Sequence, residues 1–341
     1  MTIDESIIKP IGLSGVPVKG DLSDISELIM GGAVFNTQYN NDPEAMDIDH
    51  MLLYAFNLGI NALDTSPYYG PSEVLLGKSL NKLILNGEIH REHFYICTKV
   101  GRIQLDEFEY SPEWINKSVA NSLERLHTSY IDLLHLHDIE FVEEDKIIVA
   151  LREMRKLKDK GLIKNFGISG YPVEFLYKIA LACVDDPLIG SLDSVLSYSN
   201  MCLQNTKLLH YYDKFMNNAN LKKLNNGSIL SMSLLRSQGT KSFHPCSPEL
   251  NQKCKELAVY LKEKYNMELA DVATRFAIQN WSGKQGSTVL GASTLYELKD
   301  ALAQYWKVKN KTFEEDTKIF QEAQEFLGSH FGEVWESGIK H

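Results

Sequence analysis

Three apolar stretches of this chain end on ionisable side chains. Residues 60–64 close on Asp64, residues 94–98 are followed by Lys99, and residues 131–136 run into His137 and Asp138. Tyr69 stands five residues beyond Asp64, in the run Thr65-Ser66-Pro67-Tyr68-Tyr69-Gly70. A carboxylate, an ammonium, an imidazole and a phenol are the groups that a proton-coupled hydride transfer uses. A free phenol, with a pKa of roughly 10, is a poor base at neutral pH. A neighbouring ammonium stabilises the phenolate and lowers that value. Asp64 would keep Lys99 charged and aimed, since a buried lysine alone tends to lose its proton. His137 would orient the substrate oxygen and share its proton. Each group also has a bland use: a helix cap, a surface charge, a packing ring, a core histidine. On successive strand ends, the shared chemistry is the better account.

Such residues converge only if the elements carrying them run side by side. Strand-like segments are expected at 28–31, 60–64, 94–98, 131–136, 163–168, 193–198, 227–232 and 287–290. Helical periodicity falls between them. Asp42-Pro43 opens a helix with Ile48, Leu52, Ala55 and Phe56 on one face, ending at Gly59, and residues 72–86 form the next. Ser111-Pro112 caps a third, with Ile115, Val119, Leu123 and Leu126 inward. Ile147, Leu151, Met154 and Leu157 mark a fourth, stopping at Gly161; others are expected at 173–184, 204–217, 249–280 and 294–306. Strands each followed by a helix predict an α/β fold, a (β/α)8 TIM barrel, with chemistry where strands end. No Gly-x-Gly-x-x-Gly turn supports an open dinucleotide-binding sheet instead. Residues 1–341 read as one barrel domain, its core about 25–306, with 307–341 a C-terminal helix and tail packed over it. The longest irregular loop, 236–248, falls at the catalytic end of strand seven.

Composition narrows the partners. Of 341 residues, 44% are hydrophobic and 23% charged, as in ordinary soluble proteins. The net charge of −10 argues against a nucleic-acid partner. No apolar run reaches the ~18 residues of a membrane span, and the acidic start, Asp4-Glu5, does not read as a secretory signal. Five cysteines without a Cys-x-x-Cys pair read as free thiols of a cytoplasmic protein. His135-x-His137 suggests a rival, a zinc-dependent barrel hydrolase. No second His and Asp cluster completes that ligand set, since His210 and His244 are scattered.

Residues 59–70, the Cys97-Thr98-Lys99 strand end, the stretch from Tyr130 to His137 and Phe166-Gly167-Ile168-Ser169-Gly170 together resemble the aldo-keto reductase family. The resemblance runs in order along nearly the whole chain. It implies a (β/α)8 barrel, a nicotinamide cofactor laid across the strand ends, no metal, and a catalytic tetrad of Asp64, Tyr69, Lys99 and His137. Leu196-Ser197-Tyr198 and the run Leu230-Ser231-Met232-Ser233-Leu234-Leu235 are similar to the sugar-dehydrogenase branch. That branch implies oxidation of C1 of an aldose such as D-arabinose, L-galactose or L-fucose to the aldonolactone, in erythroascorbate- or ascorbate-type biosynthesis. Other uses of the family are a general NAD(P)H carbonyl reductase and a cofactor-binding regulatory subunit.

The resemblance also assigns contacts. Gly32 and Ala33 fall at the nicotinamide-ribose edge. Where the family has asparagine and glutamine for the carboxamide, this chain has Gly170 and Val195, leaving Ser169 and Ser197. Ser228, Leu230, Ser231, Met232, Ser233 and Leu234 would wrap the pyrophosphate through backbone N–H groups, with Arg236 an anion partner; Gly291 and Ser293 fall at the adenosine end. The positions of the lysine and arginine that hold a 2′-phosphate read Ala292 and Leu298, so NAD is expected over NADP. Each lost charge-assisted hydrogen bond is worth roughly 1.5–3 kcal/mol. Phe35, Tyr39 and Tyr68, with His137, are expected around the sugar. The expected partner is a small aldose, and the expected state a monomer or weak homodimer.

Overall fold

The computed structural model describes residues 3–310 and 313–341. Its centre is a closed barrel of eight parallel strands: β1 (Leu28–Gly31), β2 (Ala62–Asp64), β3 (Tyr95–Val100), β4 (Ile131–Leu136), β5 (Ile163–Gly170), β6 (Ser194–Tyr198), β7 (Lys223–Gly227) and β8 (Thr288–Gly291). Each pairs with its sequence neighbour, and β1 closes on β8 with Gly31 opposite Gly291. Parallel strands need long crossovers, and the helices supply them. These are α1 (Ile48–Asn57), α2 (Ser72–Leu85), α3 (Pro112–Arg125), α4 (Glu144–Asp159), α5 (Val173–Asp185), α6 (Lys207–Asn218), α7 (Pro248–Tyr265), α8 (Leu269–Trp281), α9 (Leu295–Lys309) and α10 (Phe313–Leu327). No described helix is long and apolar enough to cross a membrane.

Local chemistry explains most boundaries. Ser111 Oγ accepts the Trp114 N–H at 3.3 Å, and Pro112 occupies the first turn of α3. The α4 residues Ile147, Leu151, Met154 and Leu157 are all buried against the sheet. Gly161, at φ +77°, lets the chain reverse after α4. At the floor of the barrel, Leu22 and Ile25 pack against Tyr95, Cys97 and Leu133, so the interior is filled.

The structure departs from the expected elements at four places. Asp42-Pro43 starts a single 3-10 turn, Pro43–Ala45, and α1 begins later. The helix expected at 249–280 is two, because Asn266 adopts φ +53° and ends α7. Strand seven is Lys223–Gly227, not 227–232. It escaped an apolar pattern because it carries Asn225 and Asn226, whose amides bond Ser194 Oγ at 3.2 Å and the Met201 carbonyl at 2.9 Å. The fourth is a hairpin after β3, Arg102–Gln104 with Glu107–Phe108, that no expectation included.

A buried cation pins the C-terminal helix. Arg275 of α8 bonds both carboxylate oxygens of Asp316 in α10 and, at 2.7 Å, Gln304 of α9. Removing one member of a buried pair typically costs about 3–5 kcal/mol. Arg275→Met should therefore lower the melting temperature by roughly 6 °C or more; calorimetry showing no change would remove this pair from the fold's support.

Candidate active site

The β2–α2 connection is short, and its hydrogen bonds fix the phenol. Thr65 N–H donates to the Cys97 carbonyl at 2.9 Å, and Tyr69 N–H donates to the Ser66 carbonyl at 3.0 Å. Lys99 is next to last in β3 and reaches sideways to Asp64 at the end of β2, the neighbouring strand. Its Nζ lies 2.5 Å from Asp64 Oδ1 and 3.0 Å from the Thr65 carbonyl. The same ammonium stands 4.8 Å from the Tyr69 ring centroid. His137 follows β4, its N–H bonded to the Val100 carbonyl at 2.9 Å and its carbonyl accepting Tyr110 Oη at 2.7 Å. The Tyr69 and His137 rings meet edge to face, with centroids 5.6 Å apart. One wall thus carries all four groups of the expected tetrad.

Burial sets their protonation. It works against charge on Lys99, but the Asp64 carboxylate outweighs it and holds the lysine above its ordinary range. Burial pushes the Tyr69 phenol up to about 12, against the pull of the Lys99 charge. This corrects the expectation of a net lowering: desolvation outweighs the ammonium. The phenol is protonated at neutral pH. Burial first, then the charges of Lys99 and Arg102, drives His137 well below its ordinary value. Its neutral ring shares a hydrogen bond between Nδ1 and Ser66 Oγ at 3.0 Å, leaving Nε2 on the other side. His135 is held down to about 3 by burial and by Lys99. Its Nε2 bonds Ser194 Oγ at 3.1 Å. Among the described residues no three His, Cys, Asp or Glu side chains are grouped to hold a metal.

The tetrad lies in one continuous cleft of about 940 Å³. Ala33, Ser169, Ser228, Leu230, Met232, Ser233, Arg236, Gly291 and Ser293 line it, as do Tyr39 and Tyr68. Ser228, Ser231, Met232 and Ser233 all have positive φ, between +48° and +78°. The turn closes on itself: the Ser231 N–H donates to the Ser228 carbonyl at 2.8 Å, and the Met232 N–H donates to Ser228 Oγ at 2.8 Å.

Five expected contacts do not reach the cleft. Gly32 faces α2, its carbonyl accepting Ser72 Oγ at 2.9 Å, and Gly31 lines the cleft instead. Ser197 points out of the barrel because Leu196 and Tyr198 point in; it bonds Asn200 Nδ2 at 3.0 Å. Ser231 is buried beneath its turn, and Leu234 joins the apolar core. Phe35 is fully buried among Leu28, Met30 and Leu52. Ala292 and Leu298 are also core residues, so they do not border the cleft.

The small residue at Gly170 has a packing reason. A Cβ there would stand 2.3 Å from Glu140 Oε2. Glu140 is buried, and burial with the Asp138 charge raises its carboxyl to about 8. Its Oε1 accepts the Tyr171 N–H at 3.0 Å and Ser337 Oγ at 3.2 Å. The tail crosses the mouth here: Ile339 N–H donates to the Glu140 carbonyl at 2.9 Å, and Trp335 stacks on Tyr171 at 4.4 Å.

Sequence reasoning missed Arg102, Phe141, Tyr198 and Trp335 as cleft residues. Arg102 comes from the hairpin and Trp335 from the tail, neither of which has a periodic pattern to place it. Tyr198 carried a signal, the alternation of β6, which selects Leu196 and Tyr198 over Ser197.

The electrostatics predict silent histidines. In a pH titration followed by NMR of histidine side chains, His135 and His137 should stay neutral at pH 5. Protonation of either above pH 6 would contradict the burial argument.

Residues 27–322 match the Aldo/keto reductase family. The chain is 51% identical over 326 residues to D-arabinose 1-dehydrogenase of Saccharomyces cerevisiae, covering 94% of this chain and 96% of that one. It is 32% identical over 289 residues to L-galactose dehydrogenase of Arabidopsis thaliana, covering 84% and 85%. The fold is shared with a Bacillus halodurans aldo-keto reductase solved in its holo form, with a TM-score of 0.64, 21% identity and 93% and 96% coverage. With the closed parallel barrel and the order of its motifs, these matches establish that the chain belongs to the aldo/keto reductase family.

Proposed function

We propose that the protein is an NAD-dependent aldose dehydrogenase, oxidising C1 of D-arabinose or of L-galactose- and L-fucose-like sugars to the aldonolactone. Aldo-keto reductases are oxidoreductases that use nicotinamide cofactors. The observation that carries the reading is the phenol of Tyr69 beside an ammonium that a buried carboxylate holds at 2.5 Å. The two sugar dehydrogenases among the relatives support the substrate class. The lactone product suits an erythroascorbate- or ascorbate-type route.

The cleft residues fit the dinucleotide. Ser169 would meet the carboxamide, the 228–233 turn with Arg236 the pyrophosphate, and Gly291 and Ser293 the adenosine end. A nicotinamide bound there would supply the hydride acceptor for C1. Tyr69 takes the proton of the C1 hydroxyl, Lys99 stabilises the phenolate that must exist first, and Asp64 keeps Lys99 charged. His137, neutral, holds the same substrate oxygen through Nε2. The barrel fixes all four before substrate arrives, so orientation is set in advance.

The preference for NAD rests on charge. Ala292 and Leu298 lie in the core, so they cannot decide it. Glu268, Asp271, Glu297 and Asp300 line the cleft, and Glu297 Oε2 accepts the Ser293 N–H at 2.7 Å. Asp271 is raised to about 6 by burial and by the Asp300 charge, so negative charge is already crowded there. A 2′-phosphate would add more. Vicinal ribose hydroxyls would instead donate to these carboxylates.

One observation also favours the reverse reaction. A phenol protonated at neutral pH is ready to donate, as a general carbonyl reductase of this family would need.

Rates with NAD and NADP across D-arabinose, L-galactose and L-fucose test the proposal. NAD should be favoured by at least about tenfold, as loss of one charge-assisted bond implies. Equal rates would overturn the cofactor assignment, and no aldose turnover the substrate class. Tyr69→Phe should lower turnover by about 10²–10⁴ while NADH still binds by fluorescence titration. Near-normal turnover would take Tyr69 out of the mechanism.

The pH profile has a definite sign. Oxidation needs the phenolate, so its rate should rise with pH on the alkaline side. Lys99 lowers the Tyr69 value, so Lys99→Met should move that rise to higher pH. A limb that stays in place would show that Lys99 does not act on the phenol.

A further inference from the structure

Beside the tetrad, the cleft carries a charged pair that the chemistry above does not use. Arg102, from the hairpin after β3, and Asp138, the residue following His137, both line the cleft. They form an ion pair through Arg102 Nη1 and Asp138 Oδ2. Their side chains are 12% and 5% exposed.

The pair is held in place from several sides. Arg102 Nη2 donates to the Leu105 carbonyl at 2.9 Å, and Nε to the Gln104 carbonyl at 3.3 Å. The guanidinium lies over the Tyr68 ring at 4.1 Å, a face-on contact that arginine makes well. Asp138 sits in the left-handed region, at φ +55° and ψ +60°. Aspartate is among the few residues that tolerate this conformation. Backbone strain of this kind collects at functional sites.

Two features aim the pair at substrate. Asp138 Oδ2 lies 3.6 Å from His137 Nε2, the nitrogen left facing the reacting oxygen once Nδ1 bonds Ser66. Asp138 Oδ1 accepts no hydrogen bond from the described residues, and it is not among the buried polar atoms left without a partner. Arg102 likewise uses three of its five N–H groups on Asp138, Gln104 and Leu105.

We infer that Arg102 and Asp138 form a polyol clamp that reads the hydroxyl next to the reacting carbon. Asp138 accepts a hydrogen bond from the C2 hydroxyl, and Arg102 donates to an oxygen further along the sugar. This inference rests on the aldose reading and adds its specificity device. A substrate lacking the neighbouring hydroxyl leaves a desolvated carboxylate unanswered, which is how a polar site rejects a deoxy analogue.

The test compares D-arabinose with its 2-deoxy analogue, using the full chain and NAD. The unsubstituted protein should favour D-arabinose in kcat/KM by at least about tenfold, the worth of one hydrogen bond to a charged group. Asp138→Asn keeps the backbone conformation, because asparagine also tolerates the left-handed region. It should bring the two sugars within about threefold, mainly through KM for D-arabinose, with NADH binding unchanged. Arg102→Lys, which keeps the charge and loses the fork, should narrow the ratio less. No discrimination by the unsubstituted protein overturns the clamp. Equal losses on both sugars in Asp138→Asn also overturn it, since a merely structural support for His137 would give that result. No turnover of either sugar overturns the aldose reading as well, so the two failures are distinct.

Discussion

The site depends on one ion pair closed off from water. Lys99 and Asp64 are 2% and 5% exposed, and neither charge would persist there alone. Together they give the mouth of the barrel a fixed positive point beside the Tyr69 ring. The pair also ties β2 to β3, with the Thr65 carbonyl as a second acceptor. The same burial keeps His137 uncharged, so the wall presents one cation, one neutral imidazole and one phenol. Protonation and position are both set by where the barrel excludes water.

The β/α alternation was largely legible because it follows from short-range rules. Burial of one helix face and caps such as Ser111-Pro112 fixed α3 and α4 closely. The tetrad was legible for a related reason: strand ends in a barrel share one mouth, so polar residues there converge. What failed to read depends on tertiary contacts. β7 carries asparagines that look like loop residues until their partners on β6 and the following turn are known. Phe35 looked like a loop aromatic, and nothing local says that it turns into the core beside Leu28 and Leu52. Ser197 was misread by ignoring the two-residue alternation of its own strand. The lowered phenol was misread because sequence shows a neighbouring charge but not the desolvation that opposes it.

The strand ends and the residues directly after them supply the reactive groups, whereas longer irregular segments shape the rest of the cleft. Arg102 comes from a hairpin, Tyr39 from the loop after β1 and Trp335 from the tail. The division matches the general use of barrels, where a rigid frame holds chemistry and variable connections set selectivity. It also explains why solved structures near 21% identity share the fold without specifying the pocket.

Gly170 and Glu140 stand thirty positions apart and occupy one volume. A larger amide side chain at the first position has no room while the carboxyl fills it. Placing an amide there by mutation therefore demands two simultaneous changes, the first of which, made alone, either overfills the space or leaves it hollow. The two positions are thus locked together by a steric ratchet.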